Sequence, residues 1–446
     1  MQTYELLTEL LHNKKWKELK EILNDMNEQD IAELFMELDE HDLTLIYRLL
    51  PKELAADVFV NMEPEYQEML ILAFSDTELR EVLDELYVDD TVDLIEEMPA
   101  TLVKRILKHT DPETRKSINE ILKYPEDSAG SIMTTEYVDL KRSMTVEDAF
   151  TRIRRTGVDK ETIYTCYVTD SKRKLKGVVT AKDLLLSEGS QEIREIMETN
   201  VISVSTVEDK ESAAELFSKY DLLALPVVDR EQRLVGIITV DDAIDVIQEE
   251  NTEDIEKMAA ITPTDKPYLK MSVFETYKKR IPWLMLLMVS ATFTEKIISH
   301  FEGALTACVA LTAFIPMLTG TCGNCGSQSS ATIIRGLSLG DIEFRDTFKV
   351  IFKEFRVAFV CGITLAIVNF AKLMIFDSVG AGVALVVSCT MLMAVIFAKV
   401  VGSVLPVIAK KVGFDPAVMS SPFISTIVDA VTLLIYFTVA SMVLKL

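Results

Sequence analysis

A chain of 446 residues is too long for one ordinary core and leaves room for two to four domains. Its charge is unevenly divided: from Met271 onward there are 10 acidic and 14 basic residues, against 60 and 32 before it. So negative a first part repels nucleic-acid phosphates and gathers cations, which excludes nucleic acid as a partner. The N-terminal residues show no apolar signal region, and five of the six cysteines lie in apolar stretches, so a secreted disulfide scaffold is excluded as well.

Residues 1–125 read as short amphipathic helices: Ile31, Leu34, Phe35 and Leu38 share one face, as do Leu79, Val82, Leu83 and Leu86. Pro51, Pro64, Pro99 and Pro112 punctuate them, so the expectation is an all-α superhelical domain. Over residues 126–240 the texture turns β-rich and one segment occurs twice. Asp170 and the run Gly177-Val-Val-Thr180 repeat as Asp229 and Gly236-Ile-Ile-Thr239, with the same spacing between Asp and Gly. Ile132-Met133 and Ile196-Met197 are expected to open a strand in each copy. Strand, helix, two strands and helix, twice over, resembles a tandem pair of CBS domains. Residues 241–276 begin with a helix crowded by Asp242, Asp245, Glu249, Glu250, Glu253 and Asp254. Like charges one turn apart destabilise a helix, so a positive group is expected beside it.

Residues 277–446 are read as five membrane spans: 281–301, 303–334, 357–376, 378–398 and 416–444, each long enough for the about 20 helical residues a hydrocarbon core requires. Basic residues gather at Lys278–Arg280, between Arg335 and Arg356, and at Lys410–Lys411, which by the positive-inside rule puts the N-terminal part in the cytoplasm and the C-terminus outside.

Asp429 is the one charge this pattern places deep in a span, roughly 14 Å along the last one at 1.5 Å per residue if its helix starts near Ser420. A carboxylate there is costly unless it meets water, a partner or a passing cation; a protonated Asp linking two helices is the structural alternative. The second span holds Gly320, Gly323 and Gly326 with Asn324, Ser327 and Gln328. Small residues let helices pack closely, and polar backbone at membrane depth is tolerated mainly where it lines a cavity; pore lining is the favoured expectation. Cys322 and Cys325 have C-x-x-C spacing, but no second Cys or His cluster accompanies them, so packing thiols are expected rather than zinc or redox chemistry.

Leu50-Pro-Lys-Glu-Leu, Tyr124-Pro-Glu-Asp-Ser-Ala-Gly, the doubled CBS pattern, Thr252-Glu-Asp-Ile and Pro316-x-x-x-Gly320-x-x-Gly323-Asn324 together resemble the MgtE family along essentially the whole chain. The resemblance implies a multidomain membrane protein: an all-α superhelical N-domain, an α/β tandem CBS pair, a connecting plug helix and an all-α transmembrane domain of five helices. It implies a magnesium channel rather than an enzyme, multi-pass in the cell membrane, a homodimer in the lipid bilayer with its pore on the two-fold axis, closed when cytoplasmic Mg2+ binds. Asp429 matches the pore carboxylate, and Gly320, Asn324 and Ser425 the pore lining, while Ser327 and Ser421 stand where members often carry Asn. Asp209, Glu211, Asp221, Asp242, Asp245, Glu250, Glu253 and Asp254 match the ion-sensing acids, joined by Asp89 or Asp93. ATP at the CBS pair is a further implication. The rival functions are a proton- or sodium-coupled divalent-metal carrier and a non-conducting CBS-based sensor.

Overall fold

The structure is a computed structural model that describes residues 6–7, 9–11, 13–264, 266, 268–377, 379–419 and 421–444. Short helices follow one another from Trp16–Asn24 to Pro112–Ile121. Their starts are set locally. Asn27, Asp39, Ser75 and Asp111 cap helices with side-chain oxygens, and Pro64 and Pro112 occupy first-turn positions, where a missing N–H costs nothing. Ile31, Phe35, Leu79 and Leu83 are buried as their spacing predicts. Helix α1 (Val88–Glu97) carries Asp89, Asp90 and Asp93.

The repeat follows as two three-stranded sheets of identical topology: β1 (Tyr137–Lys141), β2 (Thr162–Thr169) and β3 (Leu175–Thr180), then β4 (Val204–Ser205), β5 (Ala224–Val228) and β6 (Leu234–Thr239). In each the first pair is parallel and the second antiparallel. Ile132-Met133 and Ile196-Met197 do not open these strands. Instead Thr134 bridges Ile237 and Glu198 bridges Val178, so each segment reaches across to the other repeat. This explains the repeated glycines: a Cβ at Gly177 would lie 2.7 Å from the Glu198 carbonyl, and one at Gly236 2.7 Å from that of Thr134. Helix α2 (Lys210–Tyr220) packs Ala213, Ala214 and Phe217 into the same core as the N-terminal helices. Helix α3 (Val240–Met258) leaves β6 directly, and the chain divides within it into two compact units, residues 1–247 and 248–446.

The second unit holds the long helices α4 (Val273–His300), α5 (Ile315–Ser338), α6 (Thr347–Ile375), α7 (Ala381–Val412) and α8 (Ser421–Leu444). Among the described residues four helices are apolar and long enough to cross a membrane, corresponding to α4, α6, α7 and α8. The uncharged run 303–334, expected as a single span, is divided between the short helix Glu302–Ala307, a 3-10 turn Val309–Phe314 and α5. Cys308 leaves helical geometry and Pro316 starts α5 anew. At 24 residues α5 is about 36 Å long, enough to span, but its Gly, Asn, Ser and Gln content sets it apart from the other four. It is packed against α7 and α8.

Candidate functional site

One side of α5 is buried through Leu318, Cys322, Cys325, Ser329 and Ile333, whereas Pro316, Gly320, Asn324 and Gln328, one turn apart, form an exposed stripe. Gly323 lies between the two. A Cβ there would be 3.3 Å from Ser425 Oγ and 3.9 Å from Asp429 Oδ1, so its missing side chain leaves room for both groups of α8. Ser425 and Asp429 are one turn apart and half-buried in a helix that is otherwise uncharged. Gly320 has no neighbour within 4 Å of an added Cβ, which leaves the stripe open beside Asp429. The result is a carboxylate and a hydroxyl of α8 set against Gly323 of α5, whose neighbouring exposed stripe carries the Asn324 amide.

A second acidic constellation occupies the first unit. Asp89 is buried and its Oδ1 has no hydrogen-bond partner; burial first, then Asp242, pushes its carboxyl well above the ordinary range. The same two causes push Asp90 up to about 7. Burial, followed by Asp90 and Asp242, pushes Glu161 up to about 8. Asp242 itself is pushed up to about 6, mainly by burial, against a hydrogen bond from the Thr239 hydroxyl. Asp93 stands at the solvent edge, where water weakens the same repulsion. Glu136 closes the group, accepting a 3.0 Å hydrogen bond from the Val88 N–H. Among the described residues no three carboxyl, thiol or imidazole groups converge closely enough to hold a metal ion, so these acids approach one another without forming a finished inner-sphere site.

Family models match this chain over three stretches: the MgtE intracellular N domain at residues 26–127, the CBS domain at 129–188 and 193–249, and MgtE, described as a divalent cation transporter, at 315–439. The chain is 38% identical to the magnesium transporter MgtE of Thermus thermophilus over 90% of its own length and 89% of that protein's. The chain belongs to the MgtE family. It is also 35% identical to the Bacillus subtilis magnesium transporter MgtE over 86% of its length and 85% of that protein's. The crystal structure of the cytosolic domain of the Mg2+ channel MgtE in complex with ATP aligns with TM-score 0.52 at 39% identity, over 54% of this chain and 98% of that one. The soluble part of a magnesium transporter aligns with TM-score 0.53 at 32% identity, over 56% and 98%.

Within this MgtE-family fold the acids assigned from sequence fall into separate places. Asp209 caps the start of α2, accepting from the Ser212 N–H, and Glu211 is in its first turn; Asp221 ends the same helix in a left-handed conformation. Eleven helical residues put the two ends about 16 Å apart, too far for one chain to bring all three to a single ion. Asp242 faces Asp89, Asp90 and Glu161 and Asp245 lies exposed one turn on, while Glu250, Glu253 and Asp254 lie two to three turns further along α3. There the expected positive groups are found: Lys257 Nζ is 2.5 Å from Glu253 and 2.6 Å from Asp415, and Arg335 donates to the Asn251 side chain at 3.2 Å. Burial alone lowers the Lys257 ammonium, but its hydrogen bonds to Asp415 and Glu253 hold it above the usual range. Sequence reasoning missed Asp90, Glu136, Glu161 and Asp415. It also missed Lys399, taken as the end of an apolar run although the apolar sequence resumes after it through Ala409.

Proposed function

We propose that this protein conducts Mg2+ across the cell membrane along the face where α5 meets α8, with Asp429 as the charge that meets the ion. The carrying observation is the half-buried Asp429 carboxylate facing Gly323 beside Ser425 in an otherwise uncharged helix. Mg2+ gives up its waters reluctantly, so a pathway selects it best as a hydrated ion, through outer hydrogen bonds to Asp429, Ser425 and Asn324 rather than by direct ligation. Relatives named magnesium transporters support the choice of ion. The basic ends Lys278–Arg280 and Lys410–Lys411 support a cytoplasmic N-terminal part and an external C-terminus.

Two copies about a two-fold axis suit this face, since the open stripe Gly320, Asn324 and Gln328 would then be covered by its own counterpart. Cytoplasmic Mg2+ regulates in this reading: bridging carboxylates that otherwise repel around Asp89 and Asp242 favours the compact, closed arrangement. A cleft of about 340 Å³ lined by Tyr137, Asp139, Arg152, Lys160 and Arg173 offers three cationic side chains, a composition that fits the phosphates of ATP. Purified protein in proteoliposomes with a trapped Mg2+ dye tests the pathway. The Asp429→Ala protein is expected to lose at least tenfold in Mg2+ influx while keeping its oligomeric state, and influx at the wild-type rate would refute the assignment.

A further inference from the structure

A second charged group is buried among the long helices, away from Asp429. Lys399 lies inside α7 with a side chain only 7% exposed, and Glu354 of α6 is 13% exposed. Ser329 of α5 stands between them: its hydroxyl accepts from Lys399 Nζ at 3.2 Å and donates to Glu354 Oε2 at 2.7 Å, while the two charges are 4.0 Å apart. One hydroxyl thus has both its roles fixed, and three helices are joined through it.

We propose that Lys399, Ser329 and Glu354 form a charge-neutral clamp that holds α5 at the rotation and height required for ion passage. The inference rests on the pathway between α5 and α8. An unpaired buried charge is expensive, so the ammonium and carboxylate require each other, and each keeps the other's helix in place. Next to the clamp α5 and α7 touch through backbone: a Cβ on Gly402, one turn beyond Lys399, would lie 2.3 Å from the Gly326 carbonyl oxygen, one turn before Ser329. One turn further along α5 is Gly323, facing Ser425 and Asp429. Ser329 is therefore about 9 Å from the Asp429 level on the same helix. A one-residue slip of α5 turns it by about 100° and would carry Asn324 and Gly320 off the pathway. The clamp opposes that slip. These three are positioning residues, not ion ligands.

The test is Mg2+ and Ca2+ influx into proteoliposomes holding the full chain, with oligomeric state and melting temperature measured in parallel. Glu354→Gln and Lys399→Met, each leaving one buried charge unmatched, are expected to reduce Mg2+ influx about tenfold or more. The Glu354→Gln/Lys399→Met double variant, neutral again, is expected to recover to within about threefold of wild type. Ser329→Ala keeps both charges and is expected to fold as the wild type but change the Mg2+ to Ca2+ flux ratio by about threefold, a shift that a purely structural role would not produce. A folded double variant as inactive as the single ones overturns the clamp and makes the two charges participants in ion coupling. If the single variants do not fold, Ser329→Ala decides: an unchanged flux ratio overturns the proposal. Asp429→Ala is run alongside. Wild-type flux in that protein overturns the pathway and the clamp with it, whereas a silent Asp429→Ala beside an unchanged Ser329→Ala overturns the clamp alone.

Discussion

The glycines of α5 and α7 separate packing from function at the level of single atoms. A methyl group at Gly402 meets the Gly326 carbonyl oxygen at 2.3 Å, backbone against backbone, where no side chain can yield. At Gly320 it meets nothing within 4 Å. Gly402→Ala is expected to cost about 1–3 kcal/mol as overpacking and to lower the melting temperature in detergent, whereas Gly320→Ala leaves it unchanged. Equal melting temperatures for the two variants would show that α5 and α7 are not held at this approach. From sequence, Gly320, Gly323 and Gly326 form one small-residue segment. Their division into an open position, one facing Asp429 and one under α7 was not legible, because it depends on two helices about 75 and about 105 residues away. Cys322 and Cys325 were legible as packing thiols, and both are buried.

Helix α3 behaves as two half-helices with different neighbours. Its first turn carries Asp241 and Asp242 toward Asp90 and Glu161; its last turns are tied through Lys257 to Asp415, in the segment that leads into α8. The pair is 23% and 34% exposed, so its strength is that of a partly screened ion pair, on the order of 1 kcal/mol. In the gating proposed above, Lys257→Ala frees the end of α3, and the Mg2+ concentration that halves the current in inside-out patches is expected to rise about fivefold. Asp415→Asn is expected to give a similar shift, and the double variant no more than Lys257→Ala alone, since Lys257→Ala already removes the Lys257–Asp415 pair along with the contact to Glu253 on the same helix. Additive shifts would mean that the two side chains act separately. The need for a positive neighbour was legible in the sequence, since a helix so acidic repels itself. Which residue answers it was not: Asp415 is 158 positions from Lys257, and neither carries a local pattern. Lys399 was missed for the opposite reason. A charge ends a hydropathy count, yet a charge with a buried partner continues the helix.

Across the whole molecule, the doubled β pattern and the short proline-punctuated helices made the architecture of the first unit legible, while the acids that meet did not show themselves as a group. Asp89, Asp90 and Asp93 come from α1, Glu136 and Glu161 from the first repeat and Asp242 from the end of the second, and only folding gathers them. Carboxyl values raised above the ordinary range mean that the folded state holds these protons more tightly than the unfolded one. Stability therefore falls as pH climbs from about 4 to about 8, by which point Asp90 and Asp242 are charged. Divalent ions that bridge the acids act against that loss. For sites of about 1 mM affinity, 10 mM Mg2+ adds about 1.4 kcal/mol per site, or roughly 3–6 °C for a unit of this size. At pH 8 the wild-type melting temperature is thus expected to rise on adding Mg2+ and to fall back with EDTA, with Na+ at equal ionic strength giving far less. Asp90→Asn/Asp93→Asn/Asp242→Asn removes the repulsion and the ligands together. Its Mg2+-free melting temperature is expected to exceed the wild-type value and its Mg2+ increment to drop by more than half. Retention of the full increment would place the stabilising ions elsewhere on the acidic surface and remove this cluster from regulation. A lower Mg2+-free melting temperature would show that the acids contribute hydrogen bonds worth more than the repulsion they create.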